Sequence, residues 1–193
     1  LHRRLAQGLE LLHAADLGAV SAQLAEQYAR GGRGDRAVGY YRRAAAVASG
    51  RFAHAEAVRL HAEALAILAT GPASRARDAA ELAVLEATAA PLNALHGYSS
   101  PQLRDTLERS IALASALGDR GAMLSALVGL WSSQFVNGDA TAAHRTASRA
   151  LDLVDAGSEL AGPAHFALGG SELSLGRPAE ALRHLDRAAE AGG

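Results

Sequence analysis

The sequence contains no cysteine and no lysine; all 19 basic residues among its 193 are arginine. Without cysteine there is no disulfide framework, no thiol nucleophile and no thiolate metal site. Without lysine there is no Schiff-base chemistry and no GxxxxGKS/T phosphate loop. Aromatic residues make up 4% of the chain, too few for a core of wide, ring-filled gaps. Valine, isoleucine and threonine are sparse, and no alternating run reads as a strand. No apolar run is long enough to cross a bilayer, and no signal-peptide pattern opens the chain, so the cytoplasm is the expected location. The formal net charge of −1 provides no global attraction to nucleic acid or to an anionic membrane.

What is present is alanine, about a quarter of the chain, within an apolar fraction of 49%; alanine is the best helix former and loses no side-chain entropy. An all-α fold is therefore expected. Turn signals divide the sequence into about ten helices, over 1–15, 20–30, 35–49, 53–69, 74–96, 101–117, 120–136, 139–155, 158–175 and 178–191. Glycine followed by aspartate, at Gly34-Asp35, Gly118-Asp119 and Gly138-Asp139, ends one helix and caps the next. Pro101 and Pro178 suit the first turn of a helix. Pro91 falls inside the long 74–96 segment and is expected to kink or split it. The loop 71–74 is the expected weak point.

One spacing recurs. Ala25 is followed at fixed intervals by Gly32, Ala37, Tyr41 and Ala44; Gly169 is followed at the same intervals by Gly176, Ala181, Leu185 and Ala188. A third copy runs Trp131, Gly138, Ala143, Ala147, Ala150, with tryptophan where a small residue belongs. Ala45, Ala57 and Ala64 overlap the first copy, so the third helix serves two hairpins. This small/large pattern is that of a tetratricopeptide (TPR) helical hairpin. The expected architecture is a TPR-like right-handed superhelical solenoid, a single repeat domain over 1–193. Between 74 and 117 the pattern is degenerate. The chain opens at Leu1 already in a helical pattern, as an excised segment of a longer protein would.

The chain resembles the TPR region of large bacterial multidomain signal-transduction ATPases, including LuxR-type ATP-binding regulators and adenylate-cyclase-like ATPase proteins. The resemblance is carried by Leu1-His2-Arg3-Arg4-Leu5-Ala6-Gln7-Gly8-Leu9-Glu10, by Leu24-Ala25-x-x-Tyr28 with Ala37-Val38-x-Tyr40, by the helix Ala55 to Leu65, and by Gly129-Leu130-Trp131 and Gly169 with Leu175-Gly176. Its most distinctive element is the break His96-Gly97-Tyr98-Ser99-Ser100-Pro101. It implies a protein- or effector-binding module inside a transcriptional or signalling regulator, without an activity of its own. The implied partners are a protein, a peptide or adjacent domains of the regulator. A structural oligomerisation module, giving a homodimer, is the alternative.

In a TPR stack the groove is lined by helix A residues three before, one after and four after the small position. These are Ala22, Glu26 and Ala29; Val128, Ser132 and Phe135; and Phe166, Gly170 and Leu173. The candidate groove thus comprises Glu26, Val128, Ser132, Phe135, Phe166 and Leu173, with two phenylalanines to receive an apolar peptide or helix. Other constellations read as structural. Arg33-Gly34-Asp35 spells an adhesion tripeptide but reads as a helix end followed by a cap. His54 and His61 share a helix face without an HExxH pattern. Asp152 and Asp155 lack a partner acid motif, and His144 with Ser148 lacks an orienting acid in the local sequence. The doublets Arg3-Arg4 and Arg42-Arg43 read as solvated faces or contacts to a neighbouring domain. No catalytic residue, cofactor site or metal site is expected, and no direct nucleic-acid or membrane partner.

Overall fold

The computed structural model describes residues 1–155, 158 and 161–191. Among these residues every regular element is helical: α1 (His2–Leu12), α2 (Ser21–Arg30), α3 (Gly34–Gly50), α4 (His54–Thr70), α5 (Arg75–His96), α6 (Pro101–Leu117), α7 (Arg120–Val136), α8 (Ala140–Leu151), α9 (Ala161–Ser174) and α10 (Pro178–Ala191). The fold is an all-α helical-repeat solenoid.

Most boundaries agree with the sequence reading, and the exceptions have local causes. α1 stops at Leu12, where Leu11 and Leu12 are both exposed and gain nothing from another turn. α8 stops at Leu151; tighter bonds from Leu153 to Ala150 and from Val154 to Leu151 take over, and the Leu153 carbonyl is taken by Arg120 at 3.0 Å. Residues 159–160 of the expected ninth helix lie outside the described residues. α5 is not split: it runs through Pro91, which is itself buried. A single missing donor in a helix of 22 residues is outweighed by the burial of Leu82, Val84, Leu85 and Leu92 along it.

Caps divide the glycine–aspartate pairs. Asp119 and Asp139 each accept a backbone N–H at 3.0 Å, from Ala122 and Ala142. Ser100 caps α6, accepting from Leu103 at 3.3 Å, with Pro101 in the first turn. Asp35 does not cap. α3 begins one residue earlier, at Gly34, and Asp35 pairs instead with Arg33 at 2.9 Å.

The repeat register appears most clearly in the hydrogen bonds that close each hairpin turn. Arg33 donates to the Tyr28 carbonyl, Ala53 to Ala48, Asp119 to Ala114, Asp139 to Gln134 and Arg177 to Glu172, all at 2.9–3.0 Å. The residue before each donor is left-handed: Gly32, Phe52, Gly118, Gly138 and Gly176, with φ between +58° and +77°. This is the Schellman closure. Eight residues before each donor lie Ala25, Ala45, Ile111, Trp131 and Gly169, so the α6–α7 turn is in register too. Its pattern is hidden because Ile111 stands where a small residue is usual. α3 packs on both α2 and α4, and α7 on both α6 and α8; each serves two hairpins.

Contacts group the chain into two compact units, Leu1–Leu95 and His96–Gly193. The division falls at the end of α5, because Val84 of α5 belongs to the first unit's core, and the 71–74 loop lies within the first unit. That core is built on Leu24, Ala25, Tyr28, Ala37, Tyr41, Ala45 and Ala64. A half-buried polar knot ties α1 to it. Arg36 pairs with Glu10 at 3.0 Å and donates to the Tyr28 hydroxyl at 2.7 Å, and the Tyr40 hydroxyl donates to Glu10. Burial, then the Glu10 carboxylate, pushes the Tyr40 phenol up to about 12, so it remains a donor at any physiological pH. The second unit's core centres on Trp131, Ala143, Ala147, Ala167 and Leu168. The Ser133 hydroxyl donates to the Tyr98 carbonyl at 2.6 Å, fixing the Gly97–Ser100 break onto α7.

Candidate functional site

In the second unit, α7, α9 and α10 build an apolar cleft around Trp131. The sequence put a tryptophan where the repeat calls for a small residue, and the partner helix accommodates it. A Cβ at Gly170 of α9 would lie 3.1 Å from Trp131 Cζ2, so the absence of a side chain at Gly170 admits the indole. The next residue, Ser171, accepts the indole N–H at 2.7 Å and passes its own proton to the Ala167 carbonyl at 2.9 Å. Every polar atom of this buried pair is satisfied. Trp131 is 7% exposed, and its ring stays at the bottom of the cleft.

Two further rings flank it. Phe135 lies 5.1 Å from the indole, centroid to centroid, and Phe166 meets it edge-on at 5.8 Å. Both remain substantially open to solvent, Phe135 at 39% and Phe166 at 56%. The cleft has a volume of about 640 Å³ and is walled by Val128, Trp131, Ser132, Pro163, Phe166 and Leu185, with the alanines of α10 closing one side. Ser132 donates to the Val128 carbonyl, so its hydroxyl is satisfied and the wall is effectively apolar.

Three of the six sequence-derived groove residues therefore line the cleft, and a fourth packs on its tryptophan. The three are Val128, Ser132 and Phe166; Phe135 lies outside the lining, tilted against Trp131. Leu173, on α9, is exposed beyond it. Glu26 lies on α2, in the first unit, exposed. Its repeat companions Ala22 and Ala29 pack against that unit's core instead of offering a surface. Trp131, the anchor of the cleft, was legible only as a departure from the repeat.

The second unit also holds a buried ionic cluster that local sequence does not reveal. Glu172 is buried, accepts from His144 Nε2 at 2.7 Å and pairs with Arg177 at 3.2 Å. Burial alone would raise its carboxyl; the bonds from His144 and Arg177 outweigh that and hold it below the usual carboxylate range. His144 thus has an orienting acid after all, 28 residues away on the next helix. The Ser148 hydroxyl, however, donates to the His144 carbonyl at 2.9 Å, so it is committed to its own helix. His165 and His184 join α9 to α10 through an Nδ1–Nδ1 bond of 3.0 Å. His61, 2% exposed, occupies the bulky position of the overlapping hairpin, with no partner for Nδ1. Asp152 caps the end of α8, and Asp155 lies 3.8 Å from Arg120. Among the described residues no group of three or more histidine or carboxylate side chains is arranged to hold a metal ion. No helix among them is long and apolar enough to cross a membrane.

No family model matches the sequence, and no curated protein does. Among solved structures the chain is similar to BtubC (BKLC) from P. vanneervenii, with a TM-score of 0.70 and 15% identity, over 97% of this chain and 85% of that one. It is also similar to MamA MSR-1 C2, with a TM-score of 0.57 and 17% identity, over 91% of this chain and 97% of that one. At these identities the likeness is one of fold, and it supports the helical-repeat solenoid for nearly the whole chain.

Proposed function

We propose that this chain is a protein-binding module whose docking surface is the Trp131 cleft, and that it serves as the recognition segment of a bacterial transcriptional or signalling regulator. The observation that carries the docking reading is the aromatic trio. A buried tryptophan with a satisfied indole supports two phenylalanines that remain open. Such rigid rings over a desolvated floor are the usual anchors of a protein contact. The fitting partner is an amphipathic helix or apolar peptide, since the walls supply carbon surface and almost no free hydrogen-bonding groups. The regulator context rests on the sequence resemblance, above all the opening Leu1–Glu10 helix and the His96–Pro101 break. Binding is the role this reading assigns: at the His144–Glu172 pair the neighbouring Ser148 hydroxyl is bonded to its own helix.

Photo-crosslinking from position 132 tests this reading. A benzoylphenylalanine there faces the cleft, and the crosslinked peptide is read by mass spectrometry. One dominant segment, apolar on one helical face, is expected. Crosslinks scattered over many unrelated peptides would refute the docking surface. The oligomerisation alternative predicts instead that the dominant segment comes from this same chain and that sedimentation depends on concentration.

A further inference from the structure

α7 has a second working face. Opposite the Trp131 cleft, Leu130 and Gln134 form the floor of a separate cavity of about 510 Å³. Glu108 and Ile111 of α6 make one wall; Ala142, Arg145, Thr146 and Arg149 of α8 make the other. The charges on the two walls are opposite and divided by the floor. Arg145 and Arg149 stand one helical turn apart on α8, a helix that contains no carboxylate. Like charges at that spacing repel and weaken a helix. Neither guanidinium forms an ion pair among the described residues, and Glu108 across the floor does not reach them. Gln134, on the floor between them, carries an Oε1 buried without a hydrogen-bond partner.

We infer that this cavity binds a small zwitterion, an α-amino acid or short peptide, with its carboxylate on Arg145 and Arg149 and its ammonium toward Glu108. Two neighbouring guanidiniums suit a carboxylate through paired N–H bonds, and a bound carboxylate removes the repulsion along α8. The carboxylate of Glu108 supplies the acceptor for an ammonium. Leu130, Ile111 and Ala142 leave room for a modest apolar side chain between the charged ends. A simple anion would leave Glu108 unanswered and facing it. This site is independent of the Trp131 cleft, because the two use different residues of α7.

The test is a thermal-shift screen of the intact chain against the twenty free L-amino acids and the matching glycyl dipeptides, followed by calorimetry on the best binder. Saturable binding is expected. It should weaken at least tenfold when the probe's carboxylate becomes a carboxamide, and at least tenfold in the Arg145→Gln/Arg149→Gln variant. Glu108→Gln should weaken binding of the free probe but leave its N-acetyl derivative unaffected. Both variants change exposed side chains and should keep the wild-type circular dichroism spectrum. Three results would overturn the proposal: no binding by any member of the screen, unchanged binding in the arginine variant, or equal binding of acetate and the amino acid. Partner docking at the Trp131 cleft is measured separately, so loss of one site does not mimic loss of the other.

Discussion

Trp131 of α7 and Gly170 of α9 are fitted to one another: a Cβ at Gly170 would lie 3.1 Å from the indole Cζ2. The pair exchanges the sizes a repeat would ordinarily place, large where small is expected, with the vacancy moved to the partner helix. The indole N–H then finds Ser171, one residue on.

That bond sets the first prediction. Ser171→Ala should destabilise the chain by about 1–3 kcal/mol because it strands the buried indole N–H, and Trp131→Phe by a similar amount because it removes the bond and part of a buried ring. The double variant should cost clearly less than the sum. Urea denaturation of the four proteins checks this; strict additivity would mean the bond contributes nothing.

Close helix crossing sets the second. A Cβ at Gly169 would lie 2.8 Å from Leu185 Cγ and 3.1 Å from the Ala181 carbonyl, and the backbone oxygen cannot swing aside. Gly169→Ala should therefore destabilise by about 1–3 kcal/mol despite alanine's better helix propensity. Ala37→Leu and Ala181→Leu, at fully packed positions of the same register, should destabilise by about the same amount for the same reason. Wild-type denaturation midpoints would show the register to be wrong.

Phe52 makes the converse case. It occupies the turn position that glycine holds in the other four closures, with φ of +58° and 83% of its surface exposed. A left-handed L-residue is strained by about 1–2 kcal/mol, and glycine relieves this while costing some chain entropy. Phe52→Gly should stabilise by about 0.5–1 kcal/mol, read as a higher midpoint in thermal denaturation. A lower midpoint would mean the ring contributes packing that its exposure does not suggest.

Acid should weaken the fold. Burial, then the Arg42 charge, holds the His61 imidazole below its ordinary value. Burial likewise lowers His165 and His184, aided in each by nearby positive charge. The unfolded chain therefore binds more protons than the folded one as pH falls through about 6.5, and stability declines in that direction. His61→Leu should flatten part of this dependence in denaturation midpoints measured from pH 8 to 5. An unchanged pH profile would mean His61 titrates alike in both states.

Much of this was legible in the sequence, and the illegible parts share a cause. The recurring small residues gave the helices and the hairpins at Ala25, Ala45 and Gly169, because backbone approach leaves a mark at fixed spacing. The α6–α7 hairpin escaped because Ile111 fills its small position; the Asp119-to-Ala114 bond and the left-handed Gly118 disclose it. The cleft residues Val128, Ser132 and Phe166, and Phe135 beside Trp131, followed from repeat position alone. The acid beside His144 and the glycine beside Trp131 did not, since each partner sits on another helix at no characteristic spacing. Asp35 failed as a cap because α3 starts one residue early, an offset within the reach of local propensity.

The central claim is that Phe135 and Phe166 present a docking surface rather than a core. The measurement that tests it most directly is binding by the Phe135→Ser/Phe166→Ser variant, with circular dichroism on the same sample. The partner segment identified by crosslinking at position 132 serves as the titrant. Both rings are partly open to solvent, Phe166 the more so, so helicity should match the wild type while affinity falls at least a hundredfold, as the loss of two anchors implies. Wild-type affinity with intact helicity, or collapse of the helical signal, would contradict the account.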